Sequence, residues 1–517
     1  MKNNFLNDCC FLITSSAKQS YQKLSDTYSA IEPPTWALLL AQSCRSIGFK
    51  VSIVDANAER LSNEQIEKRI NQLNPKIVCL VVYGQNVNAG TANMRGAVDI
   101  TNFLKIKNIS YPIAFIGSHV QALPLETLKI EKNIDIIFTN EGVYALRNLL
   151  KLDSFSSDRL ENIKGIAYRK DNKININLPE KVVPTERMDV DLPGYAWDLL
   201  PYKNKPMDLY RSPMWHAEYD HEKRSPYASL QTSLGCVFKC DFCMINLINR
   251  NDSEEIGVAS KYSNMRFWST NFIIKEFDKL IKMGVRTIRI IDEMFLLNPK
   301  YYVPLCEKLA ERNKDDKLRM WSYSRIDTVK RPETLRLVRK AGIKWLCLGI
   351  ESGDKSVRLE VAKGKFDDVD VRDVIKKVHE ADINVMANYI YGLPGDNKKT
   401  IKKTFDLSLE LCTAGWNTYA AMALPGSQLY KNALEKKYKL PSSYEGYSFH
   451  SYETQPLPTQ ALTAEEILEY RDKSFKNYHT YKPFLDKIKK KFGNKALKNI
   501  FNMTQVTLKR KILGDQL

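Results

Sequence analysis

Two series of short apolar runs, separated by helix-length segments, constrain the fold of this chain more than any other feature. The first series includes FKVSIVDA, KIVCLVVYG, IAFIGSH and IDIIFTNEG, and the second runs from YASLQTS through VRTIRIID, LRMWSYSRI, WLCLGIES, INVMANYIYG and TYAAMAL. Continuous β-branched runs that alternate with helices are typical of parallel sheets buried on both faces. We therefore predict an α/β fold in which a doubly wound, Rossmann-like parallel sheet precedes a partial (β/α)6 barrel.

The same pattern predicts four consecutive segments. We expect the doubly wound sheet over residues 1–150 and the barrel over residues 227–430, where strands and helices alternate regularly. The polar, proline-punctuated stretch 151–226 between them indicates a linker with one small hairpin at IKGIAYRKDNKININ. Aromatic-rich turns and then helical spacing over residues 431–517 predict a mainly helical C-terminal cap.

Composition narrows the class of protein. The chain has 517 residues, of which 44% are hydrophobic and 27% charged, so disordered and collagen-like chains are excluded. No apolar run approaches the roughly 18 residues of a membrane span, and Asp8 interrupts the apolar N-terminal stretch where a signal peptide would be uniformly apolar. We expect a soluble, unexported protein of the cytoplasm.

The net charge of +18 constrains partners only weakly. Runs such as KPFLDKIKKKFGNK fit solvated helix faces, and they also leave an anionic substrate or peripheral contact with a membrane surface open. No zinc-finger or RNP-type signature is present, so nucleic acid is not expected as a partner.

Three of the ten cysteines are clustered. Cys236, Cys240 and Cys243 form a C-x3-C-x2-C loop directly after YASLQTS, whereas the other seven are scattered like buried thiols of a reducing compartment. Three thiolates within eight residues indicate a metal site. The loop suits a [4Fe-4S] cluster with one iron left open, while structural zinc needs a remote fourth ligand. Structural zinc and incidental cysteines remain as alternatives.

This loop, with Phe242 before the third cysteine and a barrel strand before the loop, resembles that of the radical S-adenosylmethionine (SAM) enzymes. The resemblance implies that the open iron takes the amino and carboxyl groups of SAM. It further implies that an external electron donor of the flavodoxin or ferredoxin type reduces the cluster, and that SAM is then cleaved to a 5′-deoxyadenosyl radical.

The resemblance also implies SAM contacts at the ends of the later barrel strands. Glu293, with Asp292 beside it, is expected to hold the methionine amino group, although the segment IIDEMF lacks the two glycines of the family motif. Arg325 is expected to fork onto the carboxylate. The remaining expected contacts to SAM come from the segments SYSRID, GIESG and NYIYGLPGD, and they are Ser324, Glu351, Ser352, Tyr389 and Gly392.

The N-terminal segment resembles the cobalamin-binding domain found ahead of many radical SAM enzymes, on the basis of IEPPTWALLLAQSCRSIGFKVSIVDA, GSHVQALP and NEG. The expected cobalamin contacts are Tyr83, Gly84, Gln85, Asn86, Gly117, Ser118, His119, Glu141 and Gly142. The D-x-H-x-x-G motif is absent, which implies a cobalt without a histidine ligand. We expect His119 to bond backbone or corrin periphery, and any lower-face residue to come from the turn 85–88.

Together the two resemblances imply a cobalamin-dependent radical SAM methyltransferase that acts on an unactivated carbon through a 5′-deoxyadenosyl radical and methylcobalamin. The alternatives are a non-methylating cobalamin and radical SAM cyclase or rearrangement enzyme, and a non-catalytic corrinoid and metal-binding module. Catalytic side chains are not defined by the pattern, and the candidates are His216, Tyr447 and His450. The tail from SYETQPLPT resembles members associated with surface-polysaccharide or lipid biosynthesis, which implies a small-molecule substrate such as a nucleotide-linked or lipid-linked sugar.

Overall fold

The computed structural model describes residues 5–84, 87–329, 331–361 and 369–517. Its fifteen strands are β1 (Asn7–Ile13), β2 (Val51–Asp55), β3 (Pro75–Val82), β4 (Ile113–Gly117), β5 (Ile136–Phe138), β6 (Ile166–Lys170), β7 (Lys173–Ile176), β8 (Tyr227–Leu230), β9 (Ser233–Cys236), β10 (Asn264–Phe267), β11 (Thr287–Ile290), β12 (Arg319–Arg325), β13 (Ile343–Glu351), β14 (Asn384–Tyr391) and β15 (Gly415–Ala420).

The first sheet has the strand order β2-β1-β3-β4-β5-β6-β7, and the pairs from β2 to β5 are all parallel. Seven of the eight residues of β3 are buried, because helices cover both faces of this central strand. The doubly wound sheet predicted from the apolar runs is therefore present, and its strands end along one edge.

The hairpin expected within segment 151–226 forms as β6 and β7, but it does not stand apart as a linker. β6 pairs antiparallel with β5 and extends the first sheet to seven strands. β5 has only three residues, and pairing by β6 covers what would otherwise be an open sheet edge.

The second sheet has the order β15-β14-β13-β12-β11-β8, and all of its pairs are parallel. Its six strands overlap the six predicted runs, which confirms the partial barrel. β9 and β10 form a separate antiparallel ribbon inserted between β8 and β11. The functional loops of such a barrel follow the carboxyl ends of its strands.

Helices cover both sheets and form the C-terminal region. They are α1 (Ala17–Tyr21), α2 (Thr35–Arg45), α3 (Ala56–Glu59), α4 (Asn63–Leu73), α5 (Gly90–Ile106), α6 (Ser118–Ala122), α7 (Pro124–Ile130), α8 (Val143–Leu150), α9 (Ser157–Leu160), α10 (Met188–Asp191), α11 (Thr270–Lys282), α12 (Pro299–Arg312), α13 (Pro332–Lys340), α14 (Lys355–Val361), α15 (Val371–Glu380), α16 (Lys398–Leu411), α17 (Gln428–Glu435), α18 (Ala464–His479) and α19 (Lys482–Thr504). Within the described ranges, none of these helices is long and apolar enough to cross a membrane.

Buried ion pairs join the first sheet to the barrel. Glu141, which follows β5, pairs with Arg266 of β10 at 2.7 Å, and both side chains are almost fully buried. Glu32, which precedes α2, pairs with Arg289 of β11 at 2.6 Å. Because each pair has one member in each unit, the two units pack against each other through fixed contacts.

Candidate functional site

The cysteine loop starts at the end of β9, where Gly235 adopts a left-handed backbone with φ +81°. A Cβ at this position would lie 2.1 Å from the carbonyl oxygen of Asn264 on β10, so only glycine fits. The backbone N–H of Cys236 donates to Oδ1 of Asn246 (2.9 Å), and the N–H of Phe238 donates to Sγ of Cys236 (3.4 Å). The ribbon thus holds the first cysteine in a fixed position.

All three loop cysteines are free thiols in poorly solvated surroundings. Burial raises the pKa of Cys236 to about 11 and that of Cys240 to about 12, and it raises the pKa of Cys243 as well. Loading a metal group must therefore release protons from these sulfurs.

In the described part of the chain, no three His, Cys, Asp or Glu side chains meet closely enough to hold a single metal ion. A four-iron cluster takes each thiolate on a separate iron atom, so its ligands need not meet at one point. Three unpaired cysteines on a loop with an N–H···S hydrogen bond are a donor set that fits a [4Fe-4S] cluster.

Charged side chains from three barrel strand ends surround this loop. The carboxylate of Glu293 adds to the effect of burial in raising the pKa of Cys236 and Cys243, and Glu351 acts likewise on Cys240. The guanidinium of Arg325 lies 3.6 Å from the ring centre of Phe238, within the loop itself. Residues 293, 325 and 351, which were predicted to contact SAM, are therefore brought together beside the cysteines.

Asp292 and Glu293 differ in what they contact. Asp292 accepts the backbone N–H and the hydroxyl of Thr232 and the hydroxyl of Ser233, each at 2.6 Å. Glu293 makes no hydrogen bond or ion pair with any residue that the structure describes, and burial raises its pKa to about 7. Since Asp292 is already satisfied by the turn after β8, Glu293 is the carboxylate available to a ligand.

Arg325 is engaged by the protein itself. Its Nη2 pairs with Asp327 at 2.7 Å while its planar face stacks on Phe238. This contact with the cysteine loop was not predicted. The guanidinium thus packs against the loop, and the expected contact with the carboxylate of SAM stays a prediction.

Glu351 ends β13 with a left-handed backbone (φ +63°), an uncommon conformation for a residue other than glycine. Burial raises the pKa of its carboxyl group to about 7, although Arg325 and Arg358 act in the opposite direction. A strained backbone that directs a buried carboxyl toward the cysteine loop is consistent with a ligand contact.

The other strand-end residues predicted to bind SAM serve the fold. Ser324 accepts the N–H of Leu296, and the hydroxyl of Ser352 lies 3.2 Å from that of Thr404. The N–H of Gly392 donates to Asp396, which closes the turn after β14. These contacts account for the serine hydroxyls and for the turn at Gly392 without a ligand.

Tyr389 is a correction to the sequence prediction. Its ring is fully buried and close enough to Tyr478 of α18 for the two hydroxyls to interact electrostatically, so it packs in the outer helical layer. Its strand neighbour Asn388 interacts with Cys347 in the barrel interior. Alternate residues of a strand point to opposite faces, so Tyr389 faces away from the expected cofactor position.

A cavity of about 630 Å³ lies between the carboxyl edge of the first sheet and the barrel. On one side it is lined by the segments that follow β1, β2 and β3, including Tyr83 and Gly84. On the other side it reaches Gly235 of the ribbon and Glu293 at the end of β11. The cavity thus connects the strand ends expected to hold cobalamin with the loop expected to hold the cluster and SAM.

The residues predicted to contact cobalamin divide into two groups. Tyr83 and Gly84 line the cavity, whereas the predicted Gln85 and Asn86 lie outside the described residues. Gly117 packs on the backbone of Val82, and Ser118 packs on Gly90. Gly117 and Ser118 therefore contribute to the packing of β4 and the start of α6 against β3 and α5.

His119 does not line this cavity. It lies buried on α6, where its Nδ1 is 3.2 Å from the hydroxyl of Thr91 and its ring meets Tyr444 edge-on. Burial lowers its pKa to about 4, so the imidazole is neutral. Its contacts are made within the protein, which corrects its placement among the corrin contacts.

Glu141 and Gly142 are also used by the protein. Glu141 pairs with Arg266, and Gly142 has a left-handed backbone (φ +77°) at the start of α8. These two residues fix the junction between the units, which differs from the predicted corrin contact.

The three catalytic candidates lie outside this cavity. Nε2 of His216 donates to the carbonyl of Arg319, the first residue of β12, so His216 lies at the amino end of the barrel, opposite the functional loops. His450 packs between Tyr21 and Phe449, and Tyr447 lies at the edge of an apolar cluster near Tyr430. The aromatic segments that suggested these residues serve mainly for packing between units.

Several cavity residues escaped the sequence analysis. Gln121 donates to the hydroxyl of Tyr83 and to the carbonyl of Asn140, both at 2.6 Å, and Glu32, Arg60 and Arg211 also line the cavity. Gln121 lies within the segment GSHVQALP that was singled out, so its strand-end position was an available signal. The other three have no motif.

Comparisons with known proteins agree with this arrangement. The family model of the radical SAM superfamily matches residues 230–408, and that of the B12 binding domain matches residues 22–150. The chain is 24% identical over 466 residues to an anaerobic magnesium-protoporphyrin IX monomethyl ester cyclase of Cereibacter sphaeroides, which covers 87% of this chain and 67% of that protein. It is 23% identical over 484 residues to an uncharacterized methyltransferase of Pyrococcus horikoshii, which covers 93% of each chain.

Among solved structures, the radical SAM methyltransferase TsrM from Kitasatospora setae, with cobalamin and a [4Fe-4S] cluster bound, matches with a TM-score of 0.62. The identity is 15%, and the match covers 83% of this chain and 78% of that chain, so the likeness concerns the fold. The two matched domains imply a [4Fe-4S] cluster, SAM and cobalamin as cofactors. The chain therefore carries a radical SAM domain preceded by a B12-binding domain, and it has homologues among the cobalamin-dependent radical SAM methyltransferases and cyclases.

Proposed function

We propose that this enzyme transfers a methyl group to an unactivated carbon of a small-molecule substrate. The observation that carries the proposal is the shared cavity. Glu293 and Gly235 of the β9–β10 ribbon line the same cavity as the ends of β1, β2 and β3. The bound cofactors supply a hydrogen-abstracting radical and a methyl donor, and a substrate between them can meet both.

Each residue has a role in this proposal. Cys236, Cys240 and Cys243 hold the cluster, and Glu293 accepts the methionine ammonium group, since a partly buried cation needs an anion. Asp292 fixes the turn after β8 through Thr232 and Ser233 and thereby orients the neighbouring Glu293.

Arg325 and Glu351 act around the cluster loop. Arg325 keeps the loop in place through its stack on Phe238, and Glu351 offers a carboxylate to a hydroxyl of the cofactor.

On the cobalamin side, Tyr83 and Gly84 offer an aromatic ring and bare backbone to the corrin. The hydroxyl of Tyr83 is fixed by Gln121, and the glycine lets a macrocycle approach the strand end closely. The small side chains after β1, such as Ser15, leave room in the same place.

A second candidate function is a cyclisation without methyl transfer. It is favoured by the relative from Cereibacter sphaeroides, whose name is that of a cyclase and whose match covers 87% of this chain. Both candidates use the same cofactors and the same cavity, and they differ in the mass of the product.

The test uses protein reconstituted anaerobically with iron, sulfide and cobalamin, a reductant, and SAM carrying a trideuterated methyl group. Pools of phosphorylated sugar and lipid intermediates are incubated with the enzyme and analysed by mass spectrometry. Methyl transfer predicts a product heavier by one CD3 in place of H, whereas loss of hydrogen without any deuterium gain supports cyclisation and contradicts the proposal. Cys240→Ala protein serves as the control.

A further inference from the structure

Three cationic side chains, Lys18, Arg60 and Arg211, line the cavity; Lys18 and Arg60 are exposed, so we call this part of the cavity its open end. None of them forms an ion pair with a carboxylate among the residues that the structure describes. Arg60 and Arg211 are close enough for the charge of Arg60 to lower the pKa of Arg211, in addition to the larger effect of burial, while Asp26 acts in the opposite direction. Positive charges that line one cavity without carboxylate partners indicate a binding site for an anion.

Arg211 is held in a fixed orientation. Its Nε donates to the carbonyl of Ser29 (3.0 Å), and its Nη2 donates to the carbonyl of Ser25 (3.2 Å). Nη1 makes no hydrogen bond with any described residue. A guanidinium fixed through two of its nitrogens can offer the third to a ligand with little loss of entropy.

A second arginine, Arg224, lies close to Arg211. Arg224 is buried and donates to the carbonyls of Thr27 and Ser29. Both arginines therefore bind backbone carbonyls of the loop 25–29. Burial and the charge of Arg211 together lower the pKa of Arg224 to about 10. Arg224 therefore strengthens the positive potential at this end of the cavity.

Arg60 lies in the part of the cavity lining that follows β2. It ends α3 with a left-handed backbone (φ +56°), and its exposed side chain has no partner in the described part of the chain. The amide side chains of Asn57 and Asn63 line the cavity beside it and add hydrogen-bond donors. The strained backbone places this guanidinium beside the cavity mouth.

From these contacts we propose that Lys18, Arg60 and Arg211 form a phosphate-binding site at the open end of the cavity. Planar guanidinium forks match the oxygens of a phosphate ester or diphosphate, and lysine adds a point charge. Resting on the proposed function, the site identifies the substrate as a phosphorylated small molecule whose reacting carbon extends inward toward Glu293. The same chemistry is present in the phosphodiester of the cobalamin tail, which is the other source of the phosphate.

The first arm of the test measures binding of inorganic pyrophosphate to the cobalamin-loaded full chain by calorimetry. Arg60→Ala and Lys18→Ala are each expected to weaken binding about tenfold, which is the usual effect of losing one charge-assisted contact. Arg372→Ala, which removes an equal charge from the exposed pair with Glu410, is the control and should leave binding unchanged. Arg211→Lys serves as a further variant because it retains the charge and lacks the fork.

The second arm compares cobalamin with cobinamide, a corrinoid without the phosphodiester tail, in binding to the cobalamin-free full chain. If the variants weaken pyrophosphate binding alone, the phosphate belongs to the substrate. If they weaken cobalamin and spare cobinamide, the site holds the cobalamin tail. The proposal is overturned if Arg60→Ala and Lys18→Ala change neither pyrophosphate nor cobalamin binding beyond the control. Both arms are independent of turnover, so failure of the methyl-transfer test leaves them interpretable.

Discussion

Replacing Glu32 by glutamine should destabilise the protein far more than loss of a surface charge. Glu32 contacts Nη1 of Arg289 with both carboxylate oxygens at 2.6 Å, and the side chains are 9% and 2% exposed. Burial lowers the pKa of Arg289, but Glu32, Tyr323 and Tyr227 together raise it above its usual value, so the guanidinium stays charged; burial also raises the pKa of Glu32.

The expected loss follows from what the variant leaves behind. Nε and Nη2 of Arg289 already lack hydrogen-bond acceptors among the described residues, and its guanidinium also lies over the rings of Trp321 and Tyr323, 4.5 and 5.3 Å from their centres. Without Glu32 a buried cation has no anion, which costs about 3–5 kcal/mol. An Arg289→Met change in the Glu32→Gln background removes that charge and should recover part of the loss.

Urea unfolding of the cofactor-free protein, followed by tryptophan fluorescence, measures these changes, and Trp321, one of the seven tryptophans, lies beside the ion pair. The two single variants and the double variant form a double-mutant cycle. The matched control is the cycle for Arg372 and Glu410, a pair with exposed side chains at 2.5 Å, for which we expect less than about 1 kcal/mol.

The reasoning fails if Glu32→Gln unfolds at the same urea concentration as the wild type, or if the coupling energy of Glu32 and Arg289 is no larger than that of the control pair. In either case the two units would not depend on this contact.

Two further predictions address the site, and a third addresses His216 at the amino end of the barrel. Gly235→Ala should lower the free energy of unfolding by about 1–3 kcal/mol and lower iron loading, because the added Cβ would clash with the carbonyl of Asn264. Iron analysis and urea unfolding test this, and full iron loading of the variant would contradict it. Glu293→Gln should weaken SAM binding roughly 10- to 150-fold by calorimetry while Asp292→Asn mainly lowers stability, and the reverse pattern would exchange their roles. The pKa of His216 is lowered to about 3 by burial, so only the unfolded chain takes up its proton near pH 6.5; the free energy of unfolding should fall as the pH drops from about 6.5 toward 3, and His216→Gln should flatten that fall relative to the wild type.

The strand pattern was readable from sequence because burial on both faces leaves continuous apolar runs. All six barrel strands and the strands β2 to β5 of the first sheet overlap the predicted runs. The hairpin of β6 and β7 was visible as a hairpin, but its pairing with β5 was not, since nothing in a local pattern specifies which edge a polar hairpin joins.

Site residues could be predicted only where they lie close together in the sequence or directly after a recognisable strand. The three cysteines and the acidic residue after β11 follow that rule. Long-range contacts do not, because Glu32 and its partner Arg289 are 257 residues apart and neither belongs to a motif. Arg325 was predicted to contact SAM, whereas its contacts with Phe238 and Asp327 could be seen only in three dimensions.

Tyr389 and His216 show a second limit. Alternation along β14 decides which face a side chain takes, and an aromatic strand with both faces buried gives no sequence signal for the choice. His216 lies in an aromatic segment, and the sequence does not reveal that this segment closes the amino end of the barrel.

The most direct test of the central claim is the detection of 5′-deoxyadenosine after anaerobic reconstitution with iron and sulfide and addition of SAM and a reductant. Wild-type protein should bind about four irons with broad visible absorbance and form 5′-deoxyadenosine. Cys240→Ala protein should lose both, whereas Cys347→Ala, which removes a buried cysteine of β13 outside the loop, should retain them. Absence of 5′-deoxyadenosine with the loaded wild type, or its undiminished formation by Cys240→Ala, would contradict the account.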